Sequence, residues 1–176
     1  EGVLQEKLTD QIRVIVCGSY RRGRPHSKDM DVLISGRRNR LEESVQALLG
    51  SGFLLETIRR GKVMVSGLCR FRPEYASGQA GSHHVKEIVE RTHHPARRID
   101  IRWVNPHNLW PAVVYFTGSK NFNIDMRRRA HEKGYRLNEY GIHAIRGGKK
   151  PIPIESEQAL FRLLDMPYRE PKDRSK

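Results

Sequence analysis

The sequence predicts an α+β protein, with a mixed or antiparallel sheet flanked by helices and a small α+β subdomain at the C-terminal end. Short β-branched runs with two-residue alternation predict strands over residues 14–17, 29–34 and 97–104. Past Gly118 the pattern changes to a long helix, two short strands and another helix. We therefore expect one unit over residues 1–117 and a second over residues 118–176.

The remaining elements follow from helix and turn signals. Asn39 opens a predicted helix that Gly50-Ser51-Gly52 ends, and a turn near Arg60-Gly61 joins two predicted strands. The predicted helices cover residues 4–11, 41–49, 105–116, 119–133 and 155–164, and the further strands cover 53–58, 63–71 and a pair within 137–145, before a turn at Gly147-Gly148. The basic stretches 149–151 and 171–176 are expected to be solvated surface.

A phosphate-binding turn is predicted directly after the first strand. Gly18 lets the backbone approach a ligand closely, and Ser19 can cap a new helix or bind a phosphate oxygen. Arg21 and Arg22 add positive charge beside it. This turn favours an anionic ligand such as a triphosphate.

Three carboxylates are expected to converge near that turn. The two-residue period of the second strand places Asp29 and Asp31 on one face, and Asp100 lies on another alternating strand that would complete the group if the two strands are neighbours. Two divalent ions held by such carboxylates catalyse nucleotidyl transfer. The alternative is structural: Asp29 and Asp31 as exposed strand-end residues held by arginines, and Asp100 in an ion pair with its arginine neighbours.

Composition agrees with a nucleic-acid partner. The net charge is +13 over 176 residues, which suits binding to phosphate backbones, although a ribosomal or other RNA-binding protein would carry similar charge. Cys17 and Cys69 lie in apolar runs and are predicted to be reduced core thiols of an intracellular protein. We expect neither a membrane span nor a signal or transit sequence.

Four histidines do not form a recognisable zinc site. His83, His84, His93 and His94 lie in a polar stretch over residues 73–95, without the spacing of structural zinc ligands. We interpret this stretch as a hairpin or an insertion.

Several blocks in order resemble the family X DNA polymerases, most closely the DNA polymerase beta type. The blocks are Gly18 to Gly23 with Asp29 to Ile34, Arg98 to Arg102, Tyr115 to Ser119, Asn138 to Gly141, and Tyr168 to Arg174. The first two resemble the strands of the catalytic palm, the third resembles the sugar-contacting turn, and the last two resemble the terminal subdomain. The resemblance runs from about Val14 to the last residues.

The resemblance implies a role for each matching residue. Asp29, Asp31 and Asp100 would be catalytic and would bind two Mg²⁺ ions, with Mn²⁺ as a substitute. Nucleotide contacts would come from Gly18, Ser19, Arg22, Lys28, Tyr115, Phe116, Gly118, Lys120 and Asn123, and DNA contacts from Arg98, Arg127 and Tyr140. The Tyr115-Phe116 turn would exclude a 2′-hydroxyl, and it differs from the Gly-Trp of template-independent relatives.

Four positions carry further expectations. Asn123 and Arg127 lie four residues apart on a predicted helix, so the helical period alone places them on one face. Arg102 would pair with Asp31 in an open state and move toward Glu139 and Tyr140 on closing, or it would form a permanent ion pair with Asp31. Lys120 departs from the beta-type enzyme, which has an acidic residue there, so nucleotide affinity and its salt dependence should differ.

Together with the three carboxylates, the resemblance thus implies a template-directed DNA polymerase for short-gap repair. Its partners would be primer-template or gapped DNA and deoxynucleoside triphosphates, and it would act as a monomer in the nucleus or in a mitochondrion, including the kinetoplast type. We expect no lyase or helix-hairpin-helix subdomain before Val14, and hence a fragment or a minimal polymerase with no lyase activity and weak polymerisation. The alternatives are a template-independent, ribonucleotide or small-molecule nucleotidyltransferase, and an inactive DNA-binding remnant.

Overall fold

The computed structural model describes residue 4 and residues 12–70, 95–146 and 150–175. A five-stranded mixed sheet has the order β1-β2-β5-β4-β3, in which only β2 and β5 run parallel. Its strands are β1 Arg13–Val16, β2 Asp29–Ser35, β3 Leu54–Arg60, β4 Met64–Cys69 and β5 Arg97–Val104. The predicted α+β fold with a mixed sheet is therefore confirmed.

Helices cover both faces of this sheet. They are α1 Gly18–Arg21, α2 Leu41–Gly50 and α3 Leu109–Thr117, the last preceded by a 3₁₀ turn over Pro106–Asn108. The alternation of β2 separates its two faces, since Val32 and Ile34 are buried in the core that includes α2, whereas Leu33 packs with α3. Burial on both faces fixes the register of β2, because a one-residue slip would reverse every side chain.

The helix boundaries follow the predicted turn signals. Leu41 donates its backbone N–H to Asn39 Oδ1 at 2.9 Å, but the N-cap of α2 is Arg40, so Asn39 lies one position before the cap and contacts the first residue of the helix. The chain leaves this helix through Gly52, whose φ is +70°. Before α3, Asn105 Oδ1 accepts a hydrogen bond from the backbone N–H of His107 at 3.0 Å. This bond satisfies one of the free donors at the start of a helical segment.

A second core lies in the C-terminal part of the chain. It is built by α4 Lys120–Glu132, the antiparallel pair β6 Tyr135–Asn138 and β7 Gly141–Ala144, α5 Glu157–Leu163 and a 3₁₀ turn over Pro171–Arg174. Val114 of α3 also belongs to this core. Because α3 packs against both the sheet and this second core, it joins the two.

Some predictions concern residues outside the described ranges. They are the helix over residues 4–11 apart from Leu4, the histidine-containing stretch up to residue 94, and the turn at Gly147-Gly148. Within the part of the chain that the structure describes, every helix is too short or too polar to cross a membrane.

Candidate active site

The three predicted carboxylates come together on neighbouring strands. In the parallel pairing of β2 with β5, Asp31 lies opposite Asp100, and Asp29 lies opposite Arg98. The apolar residues on either side of Asp100, Ile99 and Ile101, are buried in the core. The expectation that the two strands are neighbours is therefore confirmed, and the alternation of each strand points the acidic residues away from the core.

Negative charge accumulates at Asp31. Burial raises the pKa of Asp31 above its ordinary value, and the nearby Asp100 and Asp29 carboxylates raise it further, against the opposing effect of Arg102 and Arg98. Like charges held this close favour either a proton or a cation between them. The nearby arginines therefore do not fully compensate the negative charge of the carboxylates around Asp31.

Arg98 supplies part of the positive charge. Its Nη2 atom lies 2.8 Å from Asp29 Oδ2 and 3.7 Å from Asp100 Oδ2. Its side chain is about half exposed, as is that of Asp29, so solvent weakens this ion pair. The structural alternative, aspartates held by arginines, thus describes Asp29 and Asp100 in this arrangement, and it leaves Asp31 without such a partner among the described residues.

The donor chemistry suits hard cations. Carboxylate oxygens are preferred by Mg²⁺, Mn²⁺ and Ca²⁺ rather than by soft metals. Nevertheless, the described residues contain no group of three or more His, Cys, Asp or Glu side chains already arranged to hold an ion. In this arrangement the Arg98 guanidinium supplies the positive charge beside Asp29 and Asp100.

The phosphate turn is held against Asp31 by its backbone. Cys17 donates its N–H to the carbonyl oxygen of Asp31 at 2.7 Å, and Gly18 follows with a φ of +64°. A Cβ atom at Gly18 would overlap Asp31 Oδ2. Glycine is therefore required here both by its backbone conformation and by the approach of the carboxylate.

Ser19 does not cap α1. The cap position is Cys17, which makes no side-chain cap, and α1 spans only Gly18–Arg21. The hydroxyl oxygens of Ser19 and Ser27 lie 2.7 Å apart within hydrogen-bonding distance. This contact joins the beginning and the end of the loop between β1 and β2.

A cavity of about 680 Å³ opens between this loop and the C-terminal part. Twelve predicted site residues line it, namely Gly18, Ser19, Arg22, Lys28, Asp29, Asp31, Tyr115, Phe116, Gly118, Lys120, Asn123 and Arg127. His26, Ser119 and Ile124 also line it and were not predicted from the sequence; Ile124 lies on α4, next to the predicted Asn123, whereas His26 and Ser119 lie outside the regular elements. Asp100, Arg98, Arg102, Glu139 and Tyr140 are not among the lining residues.

The turn after α3 is fixed by two side chains from other elements. Arg22 donates from Nη1 to the carbonyl oxygen of Thr117, and Asn123 donates from Nδ2 to the carbonyl oxygen of Tyr115 at 2.7 Å. Gly118 has a φ of +69°, and a Cβ there would lie 3.2 Å from Arg22 Nη1. Hydrogen bonds thus connect the end of α3 to the segment between β1 and β2 through Arg22, and to α4 through Asn123.

Arg102 adopts neither of the two expected pairings. Its guanidinium carbon lies 4.9 Å from the centroid of the Phe116 ring, a distance at which a cation is attracted to the ring face. Its Nε atom is buried and has no hydrogen-bond partner among the described residues, and they include no ion pair of Arg102 with Asp31. Tyr140 is 64% exposed, with its N–H bound to Asn138 Oδ1. The gating role remains a prediction.

An ion-pair triad connects the segment between β1 and β2 to the C-terminal part of the chain. The sequence did not predict it. Arg21 donates to both carboxylate oxygens of Glu157, at 2.9 and 2.8 Å, and to Thr117 Oγ1 at 2.9 Å. Arg174 Nη1 lies 3.0 Å from Glu157 Oε1. Arg174 is 1% exposed, so the expectation of solvated surface over residues 171–176 is wrong at this position. Likewise, Arg21 directs its charge to Glu157 and not toward the cavity.

The chain is similar to known proteins over both of its parts. Residues 3–106 match the DNA polymerase beta palm family, and residues 112–175 match the DNA polymerase beta thumb family. It is 32% identical to DNA polymerase lambda of Rattus norvegicus, over 91% of this chain and 28% of that protein. It is 30% identical to the Bacillus subtilis DNA polymerase/3'-5' exonuclease PolX, over 86% and 22%, and 27% identical to the Xenopus laevis DNA nucleotidylexotransferase, over 96% and 38%.

A solved structure is also similar. The crystal structure of Leishmania infantum polymerase beta in a ternary P/T complex matches with a TM-score of 0.80 and 29% identity, over 99% of this chain and 71% of that one. The chain spans between 22% and 38% of the length of the curated relatives named here.

Proposed function

Because this chain belongs to the family X DNA polymerases of the DNA polymerase beta type, we propose that it is the palm and thumb of a template-directed DNA polymerase. It would add deoxynucleotides to the 3′ end of a primer in short-gap DNA repair. We place the division between the two parts at residues 117 and 118, as expected from the sequence.

The observation that carries this proposal is the position of the carboxylates relative to the cavity. Asp29 and Asp31 line the cavity from the end of β2, and Asp100 lies opposite Asp31 in the sheet. A nucleoside triphosphate in this cavity would have its phosphates near the loop between β1 and β2 and its sugar near the turn after α3. The three carboxylates would then be near the reacting phosphorus.

The residues of the phosphate loop would bind and orient the triphosphate. Ser19 offers a hydroxyl, Arg22 and Lys28 offer positive charge, and all three line the cavity. Arg22 would have a second function, since its bond to the carbonyl oxygen of Thr117 holds the turn that faces the sugar. Phosphate binding and sugar position would thus depend on one another.

Asp29, Asp31 and Asp100 would hold two divalent ions, Mg²⁺ or Mn²⁺. Bound there, such ions lower the pKa of an attacking hydroxyl and neutralise charge on the transferred phosphate. Asp29 and Asp31 would contribute to both sites and Asp100 to one. The raised pKa of Asp31, caused by burial and by the two neighbouring carboxylates, supports this assignment, because a cation would relieve that repulsion.

Selection of the nucleotide would take place at the other end of the cavity. The Tyr115-Phe116 turn would crowd a 2′-hydroxyl, which favours deoxynucleotides. Asn123 would contact the minor-groove edge of the incoming base, and Arg127 would contact the template strand. Both residues line the same cavity from α4. The likeness to a polymerase described in a ternary P/T complex supports primer-template DNA as the partner.

A second candidate is template-independent addition to DNA ends. The similarity to a DNA nucleotidylexotransferase supports it. The aromatic pair Tyr115-Phe116 argues against it, because the template-independent relatives carry Gly-Trp at this turn. Incorporation that ignores the templating base, or that needs no template, would favour this second candidate.

The proposal is tested by single-nucleotide incorporation on a gapped duplex. We expect Mg²⁺-dependent addition of the complementary deoxynucleotide, and a decrease of at least about a hundredfold in rate for Asp100→Ala, since the ions supply several kcal/mol of transition-state stabilisation. Asp165→Ala is the matched control, because Asp165 is an exposed residue that follows α5, pairs with Lys133 and does not line the cavity. Equal rates for Asp100→Ala and the wild type would refute the catalytic assignment.

A further inference from the structure

Among the described residues that line the nucleotide cavity, His26 alone carries an imidazole. It lies in the loop between β1 and β2, and it is exposed. Its side chain makes no hydrogen bond or ion pair within the part of the chain that the structure describes. The imidazole is therefore available to a ligand in the cavity and can exchange protons with solvent.

Two contacts with Ser19 hold the loop around His26 beside the phosphate-binding turn. The backbone N–H of Arg24 donates to the carbonyl oxygen of Ser19 at 3.1 Å. The hydroxyl oxygens of Ser19 and Ser27 lie 2.7 Å apart. Because His26 lies between these two anchored positions, the loop returns it to the residue that is proposed to bind the triphosphate. His26 thus belongs to the end of the cavity where the phosphates would lie.

Nucleotidyl transfer develops negative charge at that end of the cavity. The 3′ oxygen of the primer forms a bond to the α-phosphorus, and the bond from this phosphorus to the oxygen that bridges to the β-phosphate breaks. The electron pair of the broken bond leaves with pyrophosphate. A proton given to pyrophosphate while the bond breaks lowers the barrier, as general acids do in other group transfers.

Imidazole is the side chain in this cavity best suited to give that proton. Histidine exchanges its proton in the neutral range of pH, whereas ammonium and guanidinium groups hold theirs far more strongly. The other charged side chains that line the cavity are Arg22, Lys28, Lys120 and Arg127, which are basic, and Asp29 and Asp31, which are acidic. The basic ones can attract phosphates, but they are poor proton donors.

We propose that His26 is the general acid of the transfer reaction. A protonated ring nitrogen of His26 gives its proton to the departing pyrophosphate, and solvent returns a proton to the neutral ring after pyrophosphate has left. The proton of the attacking 3′-hydroxyl goes to solvent. This inference rests on the proposed function and adds to it a catalytic residue that lies between the two motif blocks of the loop, Gly18 to Gly23 and Asp29 to Ile34.

The test is single-turnover incorporation on a gapped duplex with two deoxynucleotides that differ only in the leaving group. In one, a methylene group replaces the oxygen that bridges the β- and γ-phosphates, and in the other a difluoromethylene group, which makes the leaving group less basic. Loss of a general acid costs more when the leaving group is more basic. We expect His26→Gln to lose about a hundredfold in rate with the methylene analogue and at most about tenfold with the difluoromethylene analogue.

Two matched variants separate proton transfer from other effects. Lys28→Gln removes a positive charge from the same loop and should slow both analogues by the same factor. His107→Gln removes an exposed histidine from the 3₁₀ turn before α3, away from the residues that line the cavity, and should leave both rates unchanged. The same factor for both analogues in His26→Gln, or wild-type rates in that variant, would overturn the proposal. Because His26 and His107 are both exposed, folding should be preserved in both variants.

The rates of the wild type and of Asp100→Ala distinguish the two claims. Equal rates for these two proteins refute the catalytic assignment of the carboxylates and, with it, the role of His26. If Asp100→Ala is slowed as expected but His26→Gln slows both analogues equally, only the role of His26 is refuted.

Discussion

Replacement of Glu157 by glutamine should destabilise the protein strongly. Glu157 is 4% exposed, and its carboxylate is shared by Arg21 and Arg174. The Arg174 side chain is fully buried, whereas that of Arg21 is 23% exposed, so the charge left uncompensated in Glu157→Gln is mainly that of Arg174. Removing one partner of a buried ion pair costs about 3–5 kcal/mol, and we expect about 3 kcal/mol because Arg21 keeps contact with solvent.

Urea unfolding measures this loss. With a denaturant dependence of about 2 kcal/mol per molar urea, typical of a protein of this size, a loss of about 3 kcal/mol moves the midpoint down by about 1.5 M. Glu42→Gln is the control, because Glu42 makes an ion pair with Arg60 in which both side chains are exposed, and such pairs contribute at most about 1 kcal/mol. A midpoint for Glu157→Gln equal to that of Glu42→Gln would refute the reasoning.

The triad should also give stability a pH dependence with a defined sign. Burial alone would raise the pKa of Glu157, but the hydrogen bonds and charges of Arg21 and Arg174 lower it below its ordinary value. A lowered pKa contributes stability above the pKa of the unfolded chain, about 4.3, and this contribution is lost as the pH falls through the folded value. The gap in free energy of unfolding between wild type and Glu157→Gln should therefore narrow below about pH 4.3. A constant gap down to about pH 2 would contradict this.

Three further variants or reactions follow from the site. Gly18→Ala should lower the free energy of unfolding by about 1–3 kcal/mol and the incorporation rate at least about tenfold, because the new Cβ would displace the Asp31 carboxylate. Urea unfolding and primer extension measure these two effects, and wild-type values in both would contradict the expectation. Arg98→Gln should bind Mn²⁺ without DNA up to about fivefold more tightly, the value of an exposed ion pair, as measured by calorimetry; unchanged affinity would show that Arg98 does not compete with a cation. Cys17 and Cys69 are buried, and burial raises the pKa of Cys17 to about 12. Neither thiol should therefore react with a thiol reagent at about pH 8 until urea unfolds the protein. Rapid reaction of the native protein would contradict the burial.

Local sequence patterns predicted the strands and the position of the acidic residues well. The alternation in residues 29–34 and 97–104 was sufficient to place the acidic residues on one face, because successive side chains of a strand point to opposite faces of the sheet. It could not supply the register of β2 with β5, which depends on the packing of the whole sheet. The role of Arg98 between Asp29 and Asp100 depends on that register and emerges only from the structure.

Contacts between distant parts of the chain were not predictable in this way. Arg21 and Glu157 are separated by 136 positions, and no local pattern connects them. Arg174 lies in a stretch rich in charged residues, and such residues are usually exposed unless paired. Arg174 can be buried because it pairs with Glu157 and its guanidinium lies over the rings of Phe161 and Tyr168.

The central claim is that the carboxylates of β2 and β5 act together as one cation-dependent catalytic group. The most direct test is the rate of templated incorporation, as a function of Mg²⁺, for Asp31→Asn, Asp100→Asn and the double variant. Residues that act as a unit are strongly non-additive. We therefore predict that each single variant loses at least about a hundredfold in rate and that the double variant loses little more. A near wild-type rate in either single variant, or losses that simply multiply in the double variant, would contradict the claim.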